Sequence, residues 1–156
     1  MRWADYDSET CSIARSVDIL HDRWTLLLMR DLINGVHRFE ALRAHLGVSR
    51  DVLSKRLAAL VAAGVVERRS YQDDGERARA AYHLTEAGRE LQPVLVALLA
   101  WGDKYLAGAA GPPAVLEHIG CGAAVSVRLV CDRGHEAAGA HVRLRPTEAA
   151  RLRGES

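Results

Sequence analysis

The sequence predicts a mainly α-helical domain with one β-hairpin wing and a small β-containing C-terminal appendage, on three observations. Apolar residues recur at helical spacing from residue 8 to residue 63, the period changes to two between Val65 and Leu84, and helical spacing returns up to Leu106, ahead of a Pro/Gly-rich break. Composition agrees with a folded chain. Of 156 residues, 49% are hydrophobic and 26% charged, which excludes a disordered or collagenous polymer, and three cysteines are too few for a disulfide scaffold. A chain of this length buries enough apolar surface to fold without cross-links.

The elements follow in order. Ser8 is the expected cap of a first helix carrying Ile13, Val17 and Leu20. His21-Asp22 interrupts the pattern before Trp24, Leu27, Leu28 and Leu32 resume it, and Asn34-Gly35 ends the second helix. A short third helix fits 39–46, with Phe39 and Leu42 inward and Gly47 as terminator. Ser49 then caps a fourth helix, 49–63, whose Leu53, Leu57 and Leu60 form one stripe. Segments 65–71 and 77–84 read as strands joined by the turn formers Gln72-Asp73-Asp74-Gly75-Glu76. In the second strand Ala80, Tyr82 and Leu84 share one face, and Arg77, Arg79, Ala81 and His83 the other. Thr85 caps a long helix to about residue 106, which Pro93 bends or splits. The expected domains are 8–107, a linker at 108–113, and an extension at 114–156 with short strands at 125–130 and 140–145 and a frayed helix at 148–156.

Several function classes fall away. The longest apolar run, 94–101, is far short of the roughly 20 residues that span a bilayer. The N-terminus, Met1-Arg2-Trp3-Ala4-Asp5-Tyr6-Asp7, has no secretory pattern, so the expectation is a cytoplasmic protein with reduced thiols. With 21 Lys+Arg against 20 Asp+Glu the net charge is +1, which excludes a nonspecific polycation. Between Val36 and Tyr82, however, nine Lys/Arg face six Asp/Glu. Local charge therefore favours contact with nucleic acid.

Three helices, a small-residue break, a Ser-capped helix and a hairpin are the plan of a winged helix-turn-helix. On the fourth helix, Asp51, Ser54, Lys55, Ala58 and Ala62 lie opposite the leucines. Its first turns thus offer hydrogen-bonding groups to base edges, and its alanines permit close approach to a major groove about 12 Å wide. Arg50 and Lys55 suit guanine edges or phosphates, and Ser49 and Ser54 suit either. Asp51 is either an acceptor for cytosine or a favourable charge at a helix N-terminus. Arg56, beside the leucines, is expected to pair or pack. Arg38 is a backbone contact or a solvated surface residue. On the wing, Arg77 and Arg79 suit phosphates or a narrow minor groove, the alternative being a hairpin tip kept soluble by charge.

Several segments resemble one family of bacterial transcriptional regulators. Cys11-Ser12-Ile13-Ala14, Asp22-Arg23-Trp24-Thr25-Leu26-Leu27-Leu28-Met29-Arg30-Asp31-Leu32, Gly35-Val36-His37-Arg38-Phe39-Glu40-Ala41-Leu42, Leu53-Ser54-Lys55-Arg56-Leu57 and Tyr82-His83-Leu84-Thr85-Glu86-Ala87-Gly88 are similar, in this order, to motifs of the HxlR family. The resemblance covers roughly residues 9–107. It implies a homodimer that binds a duplex DNA operator, with residues 8–20 and 86–106 forming the dimer contact. It also aligns Cys11 with a position at which some members carry an oxidant-sensing thiol. Arg15, one turn on, is placed to assist such a thiolate, and the competing reading is an inert thiol on the dimer face.

The extension carries His118-x2-Cys121 and Cys131-x3-His135, four candidate ligands for a structural zinc in a ribbon-like module. It resembles the Cys/His-rich tail of some family members, whose second pair reads as two cysteines at CxxC spacing. Here Gly134 takes the fourth place and His135 follows. The alternative is a metal-free β-rich cap. A Cys131/His135 dyad lacks an orienting group or oxyanion loop, so no enzyme activity is expected. Two other functional readings stand beside the operator-binding one: a winged-helix protein-interaction module, and a redox or metal sensor acting through Cys11 or the tail.

Overall fold

The structure, a computed structural model, describes residues 3–72 and 78–152. Its regular elements are α1 (Ser12–Leu20), α2 (Arg23–Ile33), α3 (Phe39–Leu46), α4 (Arg50–Ala62), β1 (Val66–Tyr71), β2 (Arg79–Leu84), α5 (Glu86–Arg89) and α6 (Gln92–Tyr105). The chain divides into two units, residues 1–90 with 146–156, and residues 91–145. The division falls at Leu91, ahead of the linker expected at 108–113.

In the first unit, α1 starts three residues later than expected, capped at Cys11 rather than Ser8. Asp7 rather than Ser8 is the local cap: its carboxylate accepts from Glu9 N at 3.0 Å and sets a 3-10 turn over Ser8–Thr10. Extended backbone at Cys11 (φ −72°, ψ 122°) then ends that turn and begins the helix. Asp22 caps α2 by accepting from Trp24 N at 2.8 Å and Thr25 N at 3.3 Å. Its second carboxylate oxygen pairs with Arg56 of α4 at 2.8 Å, as the place of that arginine beside the leucines implied. Gly47, at φ +65°, makes the left-handed turn between α3 and α4 that a side chain resists. Ser49 caps α4 as expected, accepting from Val52 N.

The core forms where the stripes meet. Leu28, Leu32, Leu42, Leu53, Leu57, Leu60 and Val66 are each 2% exposed or less, and α2 packs against α3 and α4 while α4 packs against β1. Burying each leucine contributes about 2 kcal/mol. One carboxylate lies inside this core. Asp31, 2% exposed, accepts from Arg30 Nε at 2.8 Å and lies 2.8 Å from His45 Nδ1, which ties α2 to α3.

The wing pairs antiparallel, from Val66↔Leu84 to Tyr71↔Arg79. A third backbone segment lines its other edge, with Tyr82 N donating to His37 O at 2.9 Å and a bridge between Arg38 and Ala81. Ala81 is consequently buried at 6%, although its alternation with Arg79 places it on the face read as outward. The expected turn at 72–76 and Arg77 fall largely outside the described residues.

Thr85 fastens the base of the wing. Its hydroxyl donates to Gly64 O at 2.6 Å and accepts from Gly88 N at 3.1 Å. Gly88 then passes so close to β1 that an added Cβ would lie 2.2 Å from Val65 O. The long helix splits as Pro93 suggested, leaving Pro93 in the first turn of α6, where a missing N–H costs nothing. Residues 151–152 join this unit through Tyr6↔Leu152 and the bond from Asp7 N to Arg151 O (2.9 Å), in place of the expected terminal helix.

The second unit buries little. No residue of α6 is buried, and Val94, Leu98, Leu99, Trp101 and Tyr105 are 41–59% exposed. The strands expected at 125–130 and 140–145 do not form: only the single bridges Glu117↔Ala124 and Val130↔Glu136 occur, with a 3-10 turn at Gly139–His141. The valines of these segments have no apolar layer to cover them, since Val125, Val127 and Val130 are 43–57% exposed.

Replacing Gly88 by alanine should destabilise the first unit by at least the roughly 1–3 kcal/mol of an overpacked site, because the methyl meets backbone rather than a movable side chain. Urea unfolding checks this, and a midpoint equal to that of the parent protein would contradict the close contact.

Candidate nucleic-acid interface

The outward face of α4 follows from its inward one. With Leu53, Leu57 and Leu60 sealed, Ser49, Arg50, Asp51, Ser54, Lys55, Ala58 and Ala62 are all exposed. The first turns are therefore polar and the last two are trimmed to methyl groups. This is the arrangement the sequence implied.

Beside the start of α4, a groove of about 590 Å³ opens between α3 and the wing, walled by Arg38, Arg50, Arg68 and Arg79. Aromatic rings hold two of these guanidinium groups. Arg38 lies over Tyr71 at 4.6 Å, and Arg50 over Phe39 at 5.1 Å. Glu40 is the acid of the groove: it pairs with Arg50 and, at 2.8 Å, with Arg43. The hydrogen bond from Arg43, with the charges of Arg50 and Arg43, holds its carboxyl below the usual carboxylate range. Glu40 thus stays ionised and occupies part of Arg50.

Of the residues singled out from sequence, Arg38, Arg50 and Arg79 converge on the groove, and Ser49, Asp51, Ser54 and Lys55 lie on the adjoining helix face. Arg77 lies outside the described residues. Arg68 and Tyr71 were not singled out. Their part depends on the hairpin register, which sets Arg68 opposite Tyr82 and Tyr71 opposite Arg79, and alternation within β1 alone does not give it.

The wing is attached through two stacked imidazoles. His37 Nδ1 donates to Tyr82 O at 3.0 Å, and its ring stacks on His83 with centroids 4.2 Å apart. Burial, then the neighbouring His37 and Arg69, lowers the His83 pKa below 6.5.

The remaining candidates lie apart from the groove. Cys11 is a half-buried free thiol at the N-cap of α1. In the second unit, His118 Nδ1 lies 3.3 Å from Cys121 Sγ, and the amides of Arg133, His135 and Gly134 point at Cys131 Sγ and lower its pKa. Among the described residues no three His, Cys, Asp or Glu side chains gather into a metal site. No helix among the described residues is long and apolar enough to cross a membrane.

A helix-turn-helix with an arginine-lined wing defines a DNA-binding regulator of transcription. Residues 19–109 match the HxlR-like helix-turn-helix model, and the chain belongs to that family. It is 44% identical over 120 residues to an HTH-type transcriptional regulator of Mycobacterium tuberculosis, covering 77% of this chain and 75% of the relative. The crystal structure of PA1607, which bears the name of a transcription factor, superposes with a TM-score of 0.77 at 29% identity, covering 88% of this chain and 95% of that one. The reduced form of the redox regulator HypR matches with a TM-score of 0.53 at 28% identity, covering 59% and 90%.

Because the native His83 pKa is lowered, the unfolded chain binds the proton more readily. Stability is full above about pH 6.5 and declines as pH falls through that value towards the native pKa. Urea midpoints should therefore drop between about pH 7.5 and about pH 5.5, and His83→Gln should flatten part of that slope. Equal slopes in both proteins would remove His83 from the wing's attachment.

Proposed function

We propose that the protein binds a two-fold-related duplex operator as a homodimer, with α4 in the major groove and the wing on phosphates or the minor groove. One observation carries this reading: Arg50, in the first turn of the exposed polar face of α4, lines a groove that Arg38, Arg68 and Arg79 also wall. Ser49, Arg50, Asp51, Ser54 and Lys55 are the base- and phosphate-facing set, while Arg38, Arg68, Arg79 and Arg77 track the backbone. Two apolar helices support the dimer. Ile13 and Val17 of α1 are 63% and 50% exposed, and Leu98 and Trp101 of α6 are 48% and 55% exposed, more apolar surface than a solitary chain usually leaves to water. Operator binding of this kind belongs in the cytoplasm, where the DNA is.

Selection of genomic fragments by the purified protein should return half-sites about one helical turn, roughly 34 Å, apart, each full site holding two chains. Arg68→Ala and Arg79→Ala should each reduce the slope of log affinity against log salt by about 1, and Lys55→Ala should weaken binding by about 1–3 kcal/mol. Undiminished affinity and slope in all three variants would remove this face from DNA recognition.

A thiol-responsive version of the same function is favoured by the likeness to HypR, itself named a redox regulator, together with the half-buried Cys11 at the head of α1. Diamide treatment should then lower operator affinity in the parent protein and leave Cys11→Ser unaffected. Equal responses in both proteins would exclude Cys11 as the sensor.

A further inference from the structure

The turn between α3 and α4 brings Glu40, in the first turn of α3, to Arg50, the first residue of α4. An acid at that end of α3 is favoured by the helix dipole alone. Here, however, both of its oxygens are committed to arginines. Oε2 accepts from Arg43 Nε at 2.8 Å, one turn along the same helix, and Oε1 accepts from Arg50 Nη2. The Arg50 guanidinium lies over the half-buried ring of Phe39, 5.1 Å from its centroid. A ring under one face and a carboxylate at one edge therefore fix both the plane and the place of this group. Exposed ion pairs add little to stability, so the arrangement is better explained by what it does to Arg50 than by what it does to the fold.

Among the described residues Arg50 makes no other hydrogen bond or ion pair, which leaves its Nε and Nη1 to donate elsewhere. The planar fork of an arginine donates to two acceptors at once. Duplex DNA offers two kinds of acceptor pair: the O6 and N7 edge of guanine, which is neutral, and the oxygens of a phosphate, which is anionic. Glu40 separates them. The hydrogen bond from Arg43, then the charges of Arg50 and Arg43, hold its carboxyl below the usual range, so it is ionised at neutral pH. A phosphate seated on Arg50 lies beside this second anion and is repelled, whereas a guanine edge is not.

Resting on the operator reading above, we propose that Glu40 is a specificity-determining residue, which positions Arg50 for the major-groove edge of a guanine and denies the same guanidinium to phosphates of arbitrary sequence. Glu40 touches no base itself. Arg50 reads, while Glu40 and Phe39 hold it ready, so that less side-chain freedom is lost on binding. Without the carboxylate, Arg50 turns to the nearest phosphate and serves every sequence alike.

The test uses the full chain and two probes, a randomised duplex library and sheared mixed-sequence DNA. Selection by the parent protein should return a consensus with a fixed guanine in each half-site, and Arg50→Ala should lose that guanine alone. Glu40→Gln should keep the rest of the consensus and weaken the preference for the guanine by about tenfold. On mixed-sequence DNA, Glu40→Gln should bind more tightly than the parent, with a slope of log affinity against log salt steeper by about 1. Placed in the Arg50→Ala background, Glu40→Gln should change neither the consensus nor the slope. An Arg50→Ala protein weakened uniformly across sequences would make Arg50 a phosphate contact and overturn the assignment. So would a Glu40→Gln effect that survives without Arg50, since it would then be general repulsion of DNA. A parent that selects a consensus, with preference and slope unchanged in Glu40→Gln, would overturn the role of Glu40 alone. A parent that selects no sequence would overturn the operator reading together with this inference.

Discussion

The direction in which α4 faces depends on a single seam. Leu53, Leu57 and Leu60, each 1% exposed, bind one side of the helix to α2 and β1, and rotation about the helix axis would bring a leucine into water at about 2 kcal/mol apiece. The ion pair between Arg56 and Asp22 fixes the same rotation from the flank, using a carboxylate that also caps α2. A cap, a salt bridge and three leucines therefore specify which residues look outward. Ser54 and Lys55 are exposed because the leucines hold the opposite side of the helix against the core.

Charge is organised on a larger scale by the same scaffold. A net charge of +1 gives little long-range attraction to a polyanion, so affinity for DNA rests on local placement. The head of α3, the first turn of α4 and both strands of the wing bring Arg38, Arg50, Arg68 and Arg79 to one groove. Glu40 sits among them, ionised and paired to Arg50 and Arg43. On the proposed mode of binding, a phosphate entering this groove competes with Glu40 for Arg50.

The first unit was largely legible in sequence because each of its elements carries agreeing signals. Ser49, the leucines at three- and four-residue spacing, and Gly64 all describe α4, and tertiary packing ratifies them. Misses arose where a signal was shared or nonlocal. Ser8 and Asp7 are both capable caps, and the acid prevails. Ala81 is buried by the segment at 37–38, a pairing across more than forty residues that alternation within β2 does not reveal. Arg68 escaped notice because its part in the groove depends on the hairpin register rather than on its neighbours. In 114–145, β-branched runs suggested strands, but strand propensity expresses the fit to a pleated, half-buried surface, and no such surface exists there.

The two units thus differ in where apolar surface goes. In the first, leucines meet leucines of the same chain, and that contact, with the Arg56–Asp22 pair and the Thr85 and His37 bonds, positions α4 and the wing. Helix α6 is as apolar as a core helix, yet it buries no residue, and Leu98 and Trp101 are about half exposed. Water contact of this extent opposes the isolated chain by roughly 25 cal/mol for each Å² left open. In the proposed homodimer a second copy covers this face, one helix surface serving both partners, and its two-fold axis matches an operator of paired half-sites.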